Sequence, residues 1–387
     1  MLSHVSGLAL RLTLAAAVVA CALALPAAAG AAEPITTTVM TRNVYLGADL
    51  GPGTRAQNFQ ELVNAAGTIL NEVDRNKFAV RAKGLANEII GKAPQVVGMQ
   101  EVALWRTQPC DKSPLPPSAK HVRYDFLQLL LAQLNKNGPK YHKAVVKPEF
   151  DFEIQANTDG NEDTSGPNCN FGSELNARLT MRDVIIVRNG VETSNPASGT
   201  FDTLIQVRPS GVPIDVTRGW TKLDVKLGPE SFRFVNTHLE SFDSAKTGNH
   251  TNKGTDVNRG KIRQAQAKEL FAQGGPAAGD KRVILVGDLN SDKKTEVQVG
   301  DGLAYKALLA GGFKERSTDS PLSCCLNTSL LTLAGGGKAS DFDHQVDHVM
   351  TNKANVSLLG SSVTGRKPAN GFWDSDHAGV FSRLSLP

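Results

Sequence analysis

The chain has 387 residues, of which 40% are hydrophobic and 21% charged, and its formal net charge is +4. This composition is that of a globular protein with ample length for a core, and it excludes a chain too polar to fold. The small positive charge gives no support to strong nonspecific binding of nucleic acid.

Residues 1–32 have the features of a secretory signal peptide. They carry one basic residue, Arg11, followed by an apolar run and then by small residues that end before Glu33. This order is typical of a signal peptide, with cleavage expected between Ala29 and Ala32. We therefore expect a secreted protein whose mature domain is residues 33–387.

The sequence leaves two alternatives to simple cleavage. An uncleaved membrane anchor is disfavoured because the apolar run is short and Pro26 follows it. The segment VVAC at residues 18–21 resembles a lipoprotein box, so a lipid anchor through Cys21 is a minor alternative. Cleavage would remove Arg11 and no acid, so the mature charge falls from +4 to +3.

Short apolar strands alternate with helices along the rest of the chain. The strand patterns are rich in β-branched residues, and the helical patterns place apolar side chains on one face. Strands are predicted at 36–45, 95–102, 182–190, 218–228, 231–240, 281–290, 345–351 and 378–384, and helices at 74–90, 124–138 and 260–275. The mixture predicts an α+β sandwich, in which two sheets pack together with helices outside.

Two segments interrupt this alternation and are predicted to be surface loops. Residues 105–121 are rich in proline, and residues 149–163 hold six acids and no Lys or Arg. The acidic segment would repel duplex phosphates if it bordered a site, or it could bind Ca²⁺ structurally.

Four cysteines follow the signal segment, and an even count in an exported protein predicts two disulfides. Cys110 and Cys169 lie in or after the two loops, which makes a bridge between them plausible. The adjacent Cys324 and Cys325 would then pair with each other, while the alternative is that both reach elsewhere. A zinc site is the competing interpretation, and it ranks low because the chain has no C-x2-C pair.

Polar residues stand where the apolar strands end. Each alone is ordinary, since an Asn or Asp at a strand end most often forms a turn or cap. Together they suggest a site, because buried carboxylates need a partner or a cation. Asp288 and Asn290 would face the same side of an extended segment. The set comprises Asn43, Glu101, His238, Asp288, Asn290, Asp347, Asp376 and His377.

Carboxylate and amide oxygens without clustered Cys or His are suited to a hard cation. We expect Mg²⁺, with Mn²⁺ and Ca²⁺ as alternatives. A cation with two nearby histidines suits hydrolysis of phosphate esters, because the cation stabilises charge on oxygen while a histidine activates water.

Six segments of the chain, in this order, resemble motifs of the endonuclease/exonuclease/phosphatase superfamily, whose members have the DNase I-like fold. They are TRNVY, VVGMQEV, VNTHLES, VGDLNSD, QVDHVM and DSDHAGV, and the resemblance spans residues 39–382. The segments that hold RGWTKLDV and FRFVNTHLE also resemble the secreted bacterial branch. The resemblance implies a four-layer α/β/β/α sandwich with two mixed central sheets and a site at one end of them.

The resemblance also implies roles for the residues in the matching motifs. Asn43, Glu101 and Asp376 would hold the metal, and Asp288 and Asn290 would position the water and the phosphate. His238 would contact the phosphate or act as general acid. His377 would be the general base, oriented by Asp347. Arg182 would be a phosphate-binding arginine, the alternative being a surface charge at the start of a strand.

The fold does not decide which phosphate ester is the substrate. Nucleic acid is the first prediction, supported by export and by Arg218, Arg259, Lys261 and Arg263 around the NTH segment, although these could be the solvated face of a helix. The alternatives are a sphingomyelinase-like enzyme that acts on a membrane lipid headgroup and an inositol phosphate phosphatase. A binding protein on an inactive scaffold is disfavoured because the motif residues are present. We expect a monomer without an obligate protein partner.

Overall fold

The apolar runs of the sequence form the strands of two large sheets in the computed structural model. It describes residues 1–2, 34–110, 117–165, 169–241, 260–292, 302–317, 322–326, 329–353 and 355–387. Apart from residues 1–2, the predicted signal peptide lies outside the described residues, and so does Cys21. Among those residues, none of the helices has the length and hydropathy needed to span a membrane.

Sixteen strands are present in the described part of the chain. They are β1 (Ile35–Asn43), β2 (Val96–Gln100), β3 (Leu104–Pro109), β4 (His121–Asp125), β5 (Tyr141–Ala156), β6 (Leu175–Arg188), β7 (Glu192–Thr200), β8 (Ile205–Val207), β9 (Ile214–Val216), β10 (Gly219–Leu227), β11 (Glu230–His238), β12 (Val283–Asp288), β13 (Lys314–Glu315), β14 (Asp347–Thr351), β15 (Ser357–Thr364) and β16 (Gly379–Leu386). The α-helices there are α1 (Gly51–Arg55), α2 (Phe59–Arg75), α3 (Phe78–Lys92), α4 (Phe126–Leu134), α5 (Lys261–Phe271) and α6 (Leu303–Ala310).

Each large sheet is built around one parallel pair of strands. The first sheet has the order β15-β16-β1-β2-β6-β3-β4, with β5 paired to β6, and the second has the order β13-β14-β12-β11-β10-β7. Strands β1 and β2 are parallel, as are β11 and β12. Their outer neighbours, β16 and β14, run antiparallel to them. The ends of the parallel strands therefore lie at the same edge as the starts of β16 and β14.

Alternation of apolar side chains along β12 shows how the layers form. Ile284 and Val286 pack into the core between the two sheets, together with Val39 and Val96 of the first sheet. Val283 and Leu285 face the opposite way, toward α5 and α6. Helices α2, α3 and α4 cover the outer face of the first sheet. The predicted four-layer α/β/β/α sandwich is thus confirmed, and its double-sided burial explains the unbroken apolar run of β12.

The two sheets approach closely beneath the edge where the strands end. A Cβ atom at Gly98 in β2 would lie 2.5 Å from Oδ1 of Asn236 and 2.6 Å from Cγ2 of Val286, both in the second sheet. Nε2 of Gln100 donates to Oδ1 of Asn236 across the interface at 2.6 Å. Glycine is therefore the residue that fits at position 98 while the sheets keep this spacing.

One predicted helix proves to be two, and parts of two predicted loops prove to be strand. The helix expected at 74–90 is interrupted at Lys77, whose φ of 40° is left-handed, so α2 ends before it and α3 begins after it. Only the two ends of the expected loop at 105–121 belong to β3 and β4, and residues 149–156 of the expected acidic loop belong to β5.

The acids of β5 are accommodated because they have partners. Asp151 forms an ion pair with Arg178. Oε2 of Glu153 accepts hydrogen bonds of 2.8 Å from the backbone of Ser118 and Ala119. Charge density alone therefore gave the wrong prediction of a loop here.

The predicted disulfide between Cys110 and Cys169 is present, with their Cα atoms 6.0 Å apart. Cys324 and Cys325 are also joined to each other, so the alternative in which each pairs with a different cysteine is not found.

Candidate active site

The polar residues predicted from the strand ends meet at one edge of the sandwich, and each sheet contributes half of them. Asn43 ends β1, Glu101 follows β2, and Asp376 and His377 precede β16 in the first sheet. In the second sheet, His238 ends β11, Asp288 ends β12, and Asp347 begins β14. The parallel pairs and their antiparallel neighbours bring these ends together.

Asp288 lies at the centre of this cluster. Its Oδ2 accepts a hydrogen bond from Nδ2 of Asn43 at 3.0 Å. The same oxygen lies 3.6 Å from Nε2 of His238 and 3.6 Å from Nε2 of His377. The strand register places His238 beside Asp288 and Asp347 opposite it. The two histidines therefore face one carboxylate from opposite sheets.

His377 is paired with Asp347 rather than with its chain neighbour Asp376. Nδ1 of His377 lies 2.9 Å from Oδ2 of Asp347, and both side chains are buried. Because a carboxylate can only accept, Nδ1 carries the proton in the neutral form of the ring, and in that form Nε2 keeps its lone pair.

The pKa of His377 reflects this surrounding of acids. Burial lowers the pKa, but Asp347, Asp288 and Asp376 outweigh burial and hold the pKa of His377 well above its ordinary value. The ring is thus placed among negative charges that stabilise it after it has taken up a proton.

His238 has a different environment, in which Arg218 is the deciding neighbour. Nη1 of Arg218 lies 3.1 Å from Nδ1 of His238. Arginine can only donate, so Nδ1 accepts and the ring proton is on Nε2. Burial, then Arg218 and then His377 lower the pKa of His238 well below its ordinary value. His238 is therefore a neutral donor through Nε2, which favours the phosphate-contact role over that of general acid.

Glu101 and Asp376 form the acidic side of the cavity. Burial, followed by the charge of Asp376, raises the pKa of Glu101. Oε2 of Glu101 accepts from the backbone N–H of Leu46 at 2.8 Å, and its φ of 58° is left-handed. Such a backbone conformation is strained for a non-glycine residue and is typical of functional positions. Two carboxyls held together in this way make a suitable site for a cation.

Asn43 lies between the two carboxylates. Its Nδ2 donates to Asp288 at 3.0 Å and to Oε1 of Glu101 at 3.2 Å, while its Oδ1 accepts from the backbone of Tyr45. In this arrangement Asn43 fixes the two acids relative to each other, and its role as a metal ligand stays a prediction.

Asn290 and Asp288 line the same cavity, but the segment between them is a turn. Asn290 has a left-handed φ of 45°, and its backbone N–H donates to Oδ1 of Asp288 at 2.9 Å. Its Nδ2 donates to the backbone of Leu239. The extended geometry expected for this pair is therefore wrong, although both side chains still reach the site.

Arg182 does not join the cluster. Its Nε donates to the carbonyl of Val102 at 2.8 Å, and its Nη2 donates to Asp125 at 2.6 Å. Its side chain is buried, so the alternative of a surface charge does not hold either. Arg182 ties the segment after β2 to the start of α4, and the predicted phosphate contact is not supported at this position.

Two of the four basic residues noted around the NTH segment are buried. Arg218 is 4% exposed and Arg263 is 2% exposed. Arg263 donates to the backbone of Asn290, and Arg218 contacts His238 and lies 3.5 Å from Glu240. Lys261 is exposed, and Arg259 lies outside the described residues. Arg218 and Arg263 therefore do not contribute to an exposed basic surface.

The site opens into a cavity of about 660 Å³ with a mixed lining. The predicted site residues that line it include Glu101, His238, Asp288, Asp376 and His377. Among the described lining residues the side chains of permanent positive charge are Arg55 and Arg218. Apolar residues also line it, among them Leu62, Ile69, Phe150, Phe152, Val207 and Ile214. The same cavity thus contains the polar cluster and a large apolar lining.

Two arginines were missed or misread in the sequence. The interpretation of Arg218 as a surface charge is wrong, since the pairing of β10 with β11 brings it beside His238. Arg42, which is fully buried, donates to the backbone carbonyl of His377 at 2.5 Å and forms an ion pair with Glu88. Both arginines belong to quoted motifs, but their contacts depend on the register of distant strands.

Comparison with known proteins adds similarity at the level of structure. Neither a protein-family model nor a curated protein matches the chain. An endonuclease/exonuclease/phosphatase family protein from Bacteroides thetaiotaomicron matches with a TM-score of 0.49 and 14% identity, over 92% of this chain and 99% of that one. One from Leptotrichia buccalis gives 0.48 and 16%, over 90% and 99%. A mannosyl-6-phosphatase from Bacteroides thetaiotaomicron gives 0.48 and 14%, over 90% and 99%. These similarities are too distant to bear on activity. Two of these three solved structures carry the name of the family whose motifs the sequence resembles.

Proposed function

We propose that this chain is a phosphate-ester hydrolase that works with a divalent cation, Mg²⁺ first and Mn²⁺ or Ca²⁺ as alternatives. The observation that carries the proposal is the geometry of His377. Asp347 holds its Nδ1, and its Nε2 lies 3.6 Å from Asp288 in a cavity with two further acids. A base with a fixed tautomer beside a cation site is the arrangement needed for attack of water on phosphorus.

The donor set fits a hard cation. Glu101 and Asp376 both line the cavity. The negative charge of Asp376 raises the pKa of Glu101, so the two carboxylates repel each other. These two carboxylates would hold the ion, while Asn43 fixes Glu101. When bound, the cation would stabilise negative charge on the phosphoryl and leaving oxygens.

The side chains divide the remaining work. His377 takes a proton from the attacking water through Nε2, and Asp347 stabilises the resulting imidazolium. Asp288 orients the water between the two histidines. His238, fixed by Arg218, donates from Nε2 to an oxygen of the phosphate, and this hydrogen bond strengthens as charge develops.

The apolar residues of the cavity lining favour a substrate that carries an apolar group as well as the phosphate. A lipid phosphodiester has this character, whereas Arg218 and Arg263, two of the four basic residues expected to contact nucleic acid, are buried. The predicted nuclease thus becomes the alternative, and a phospholipid phosphodiesterase the first proposal.

We also propose that the protein is exported, as predicted from residues 1–32. The disulfide between Cys110 and Cys169 supports an oxidising compartment. Mass spectrometry of protein recovered from culture medium tests this, with an N-terminus between residues 30 and 33 expected.

One screen tests the proposed function. The purified chain is assayed with Mg²⁺, Mn²⁺ or Ca²⁺ on sphingomyelin vesicles, plasmid DNA, RNA, inositol phosphates and an activated nitrophenyl phosphodiester. Release of choline phosphate that EDTA abolishes supports the lipid substrate. Plasmid nicking without that release would restore nucleic acid as substrate, and inactivity on every ester would refute a hydrolase.

Variants then test the assignment of the base. His377→Ala should lower the rate by about 10²- to 10⁴-fold, the range expected for loss of a general base. His142→Ala is the matched control, because His142 is exposed and contacts Asn189. Near-full activity of His377→Ala would show that the base is another group.

A further inference from the structure

The sulfur atoms of Cys324 and Cys325 lie against the proposed base. Sγ of Cys324 is 3.6 Å and Sγ of Cys325 is 3.9 Å from Nε2 of His377. This is the nitrogen that faces the cavity, since Nδ1 is held by Asp347. Cys324 is buried, whereas Cys325 is partly exposed and lines the cavity. None of the steps proposed above uses either sulfur.

Backbone hydrogen bonds on both sides fix the position of the cysteine pair. The N–H groups of Ser323 and Cys324 donate to the carbonyl of His344 at 2.8 and 3.0 Å. On the other side, the N–H of Leu326 donates to Asp376 at 3.0 Å, and that of Ala378 donates to Ser323 at 2.6 Å. The sulfurs are therefore held beside His377 by the backbone as well as by their bond to each other.

The reduced pair would supply a ligand set of a different kind from the acids across the cavity. Two thiolates and one imidazole nitrogen are ligands that soft and borderline cations prefer, with water as the fourth. The two sulfurs and the ring nitrogen all lie within 4.8 Å of one another. The two sulfurs are bonded to each other here, so reduction must let them move apart before both can form Zn–S bonds of about 2.3 Å beside a Zn–N bond of about 2.0 Å.

We propose that reduced Cys324 and Cys325, together with Nε2 of His377, bind a thiophilic divalent cation such as Zn²⁺, and that this binding silences the active site. A dithiol or phosphine reductant supplies two electrons and the solvent two protons, which convert the disulfide into two thiols. Binding of the cation releases those two protons and occupies the lone pair of Nε2. The disulfide form lacks thiolates, so it leaves His377 free to accept a proton from water.

The cation site does not depend on the proposed function, but its effect on rate does. The full chain is reduced with a phosphine, freed of reductant and titrated with Co²⁺ as a spectroscopic substitute for Zn²⁺. One Co²⁺ per chain with thiolate-to-metal charge-transfer absorption is expected, and Zn²⁺ should displace it. The double variant Cys324→Ser/Cys325→Ser should lose the absorption, while Cys110→Ser/Cys169→Ser should keep it. Cys21 is present in all three proteins, so it cannot account for a difference between them.

Activity is measured in parallel on oxidised and reduced protein. Zn²⁺ should lower the rate of the reduced form by about 10²-fold or more and leave the oxidised form much less affected. Absence of the absorption in reduced protein, or its persistence without Cys324 and Cys325, would overturn the cation site. Equal inhibition of the reduced and oxidised forms by Zn²⁺ would refute the proposal that this cation site inhibits the active site. If the absorption is found but no ester is hydrolysed, the site stands and the proposed function fails.

Discussion

Glu149 provides a test of the electrostatics beneath the active site that needs no assay of activity. Its side chain is buried in β5, and Nζ of Lys147 lies 3.4 Å from its Oε2. Burial raises the pKa of Glu149 from 4.5 to about 7, an effect that Lys147 and Arg218 only partly offset. The folded protein therefore binds a proton there that the unfolded chain releases at lower pH.

The sign and size of the effect follow from this difference. A raised carboxyl pKa contributes stability that is complete below 4.5 and is lost as the pH rises through about 7. A difference of roughly 2.5 units at 1.36 kcal/mol each costs about 3 kcal/mol once Glu149 is ionised. Glu149→Gln keeps the shape and removes the ionisation. The free energy of unfolding of the variant minus that of the unmodified protein should therefore be about 3 kcal/mol larger at about pH 9 than at about pH 4.

Urea denaturation followed by tryptophan fluorescence at both pH values measures the difference. Glu192→Gln is the matched control, because Glu192 is 69% exposed in its side chain and pairs with exposed Lys226. Its effect on stability should be the same at both pH values within about 0.5 kcal/mol. A pH-independent effect of Glu149→Gln, or a loss of stability at high pH, would refute the reasoning.

The active site gives three further predictions. Asp347→Asn should lower the rate by about 10²- to 10⁴-fold at saturating cation, because His377 loses the negative charge that stabilises its protonated ring and the amide NH2 can hold the ring in the wrong tautomer; an unchanged rate would contradict the pairing. Asp376→Asn should instead raise the Mg²⁺ concentration that gives half-maximal rate by at least about tenfold, and a loss of rate that Mg²⁺ cannot restore would argue against a metal role. Arg218→Met should raise the pKa of His238, measured by NMR titration, and destabilise the fold by about 3 kcal/mol in urea; an unmoved titration would show that Arg218 does not fix the ring.

The positions of most site residues could be predicted from the sequence because they follow from local patterns. A buried strand that ends in a carboxylate or histidine is visible as an apolar run followed by one polar residue, as in VILVGD. The resemblance also paired Asp347 with His377 across thirty residues. Periodicity located the second half of the predicted helix at 74–90, since Phe78 begins α3.

The errors have a common physical cause, which is that tertiary partners override local composition. Asp151 and Glu153 looked like members of a loop, but Arg178 and backbone amides of a distant segment accommodate them in a strand. Arg218 looked like a surface charge until the register of β10 and β11 placed it beside His238. Neither contact can be read from neighbouring residues in the chain.

The absence of a side chain at Gly98 has a consequence for tolerance to mutation. The acids that would hold the cation belong to one sheet, and Asp288, His238 and Asp347 belong to the other. The distance between the sheets therefore sets the distance between the two groups of residues. A methyl group at position 98 would collide with the second sheet and push the two sheets apart. A displacement of about 1 Å can cost about 10²-fold in rate. A substitution at position 98 can therefore lower the turnover rate although the position carries no functional group. The rate in turn reports how closely the two sheets pack.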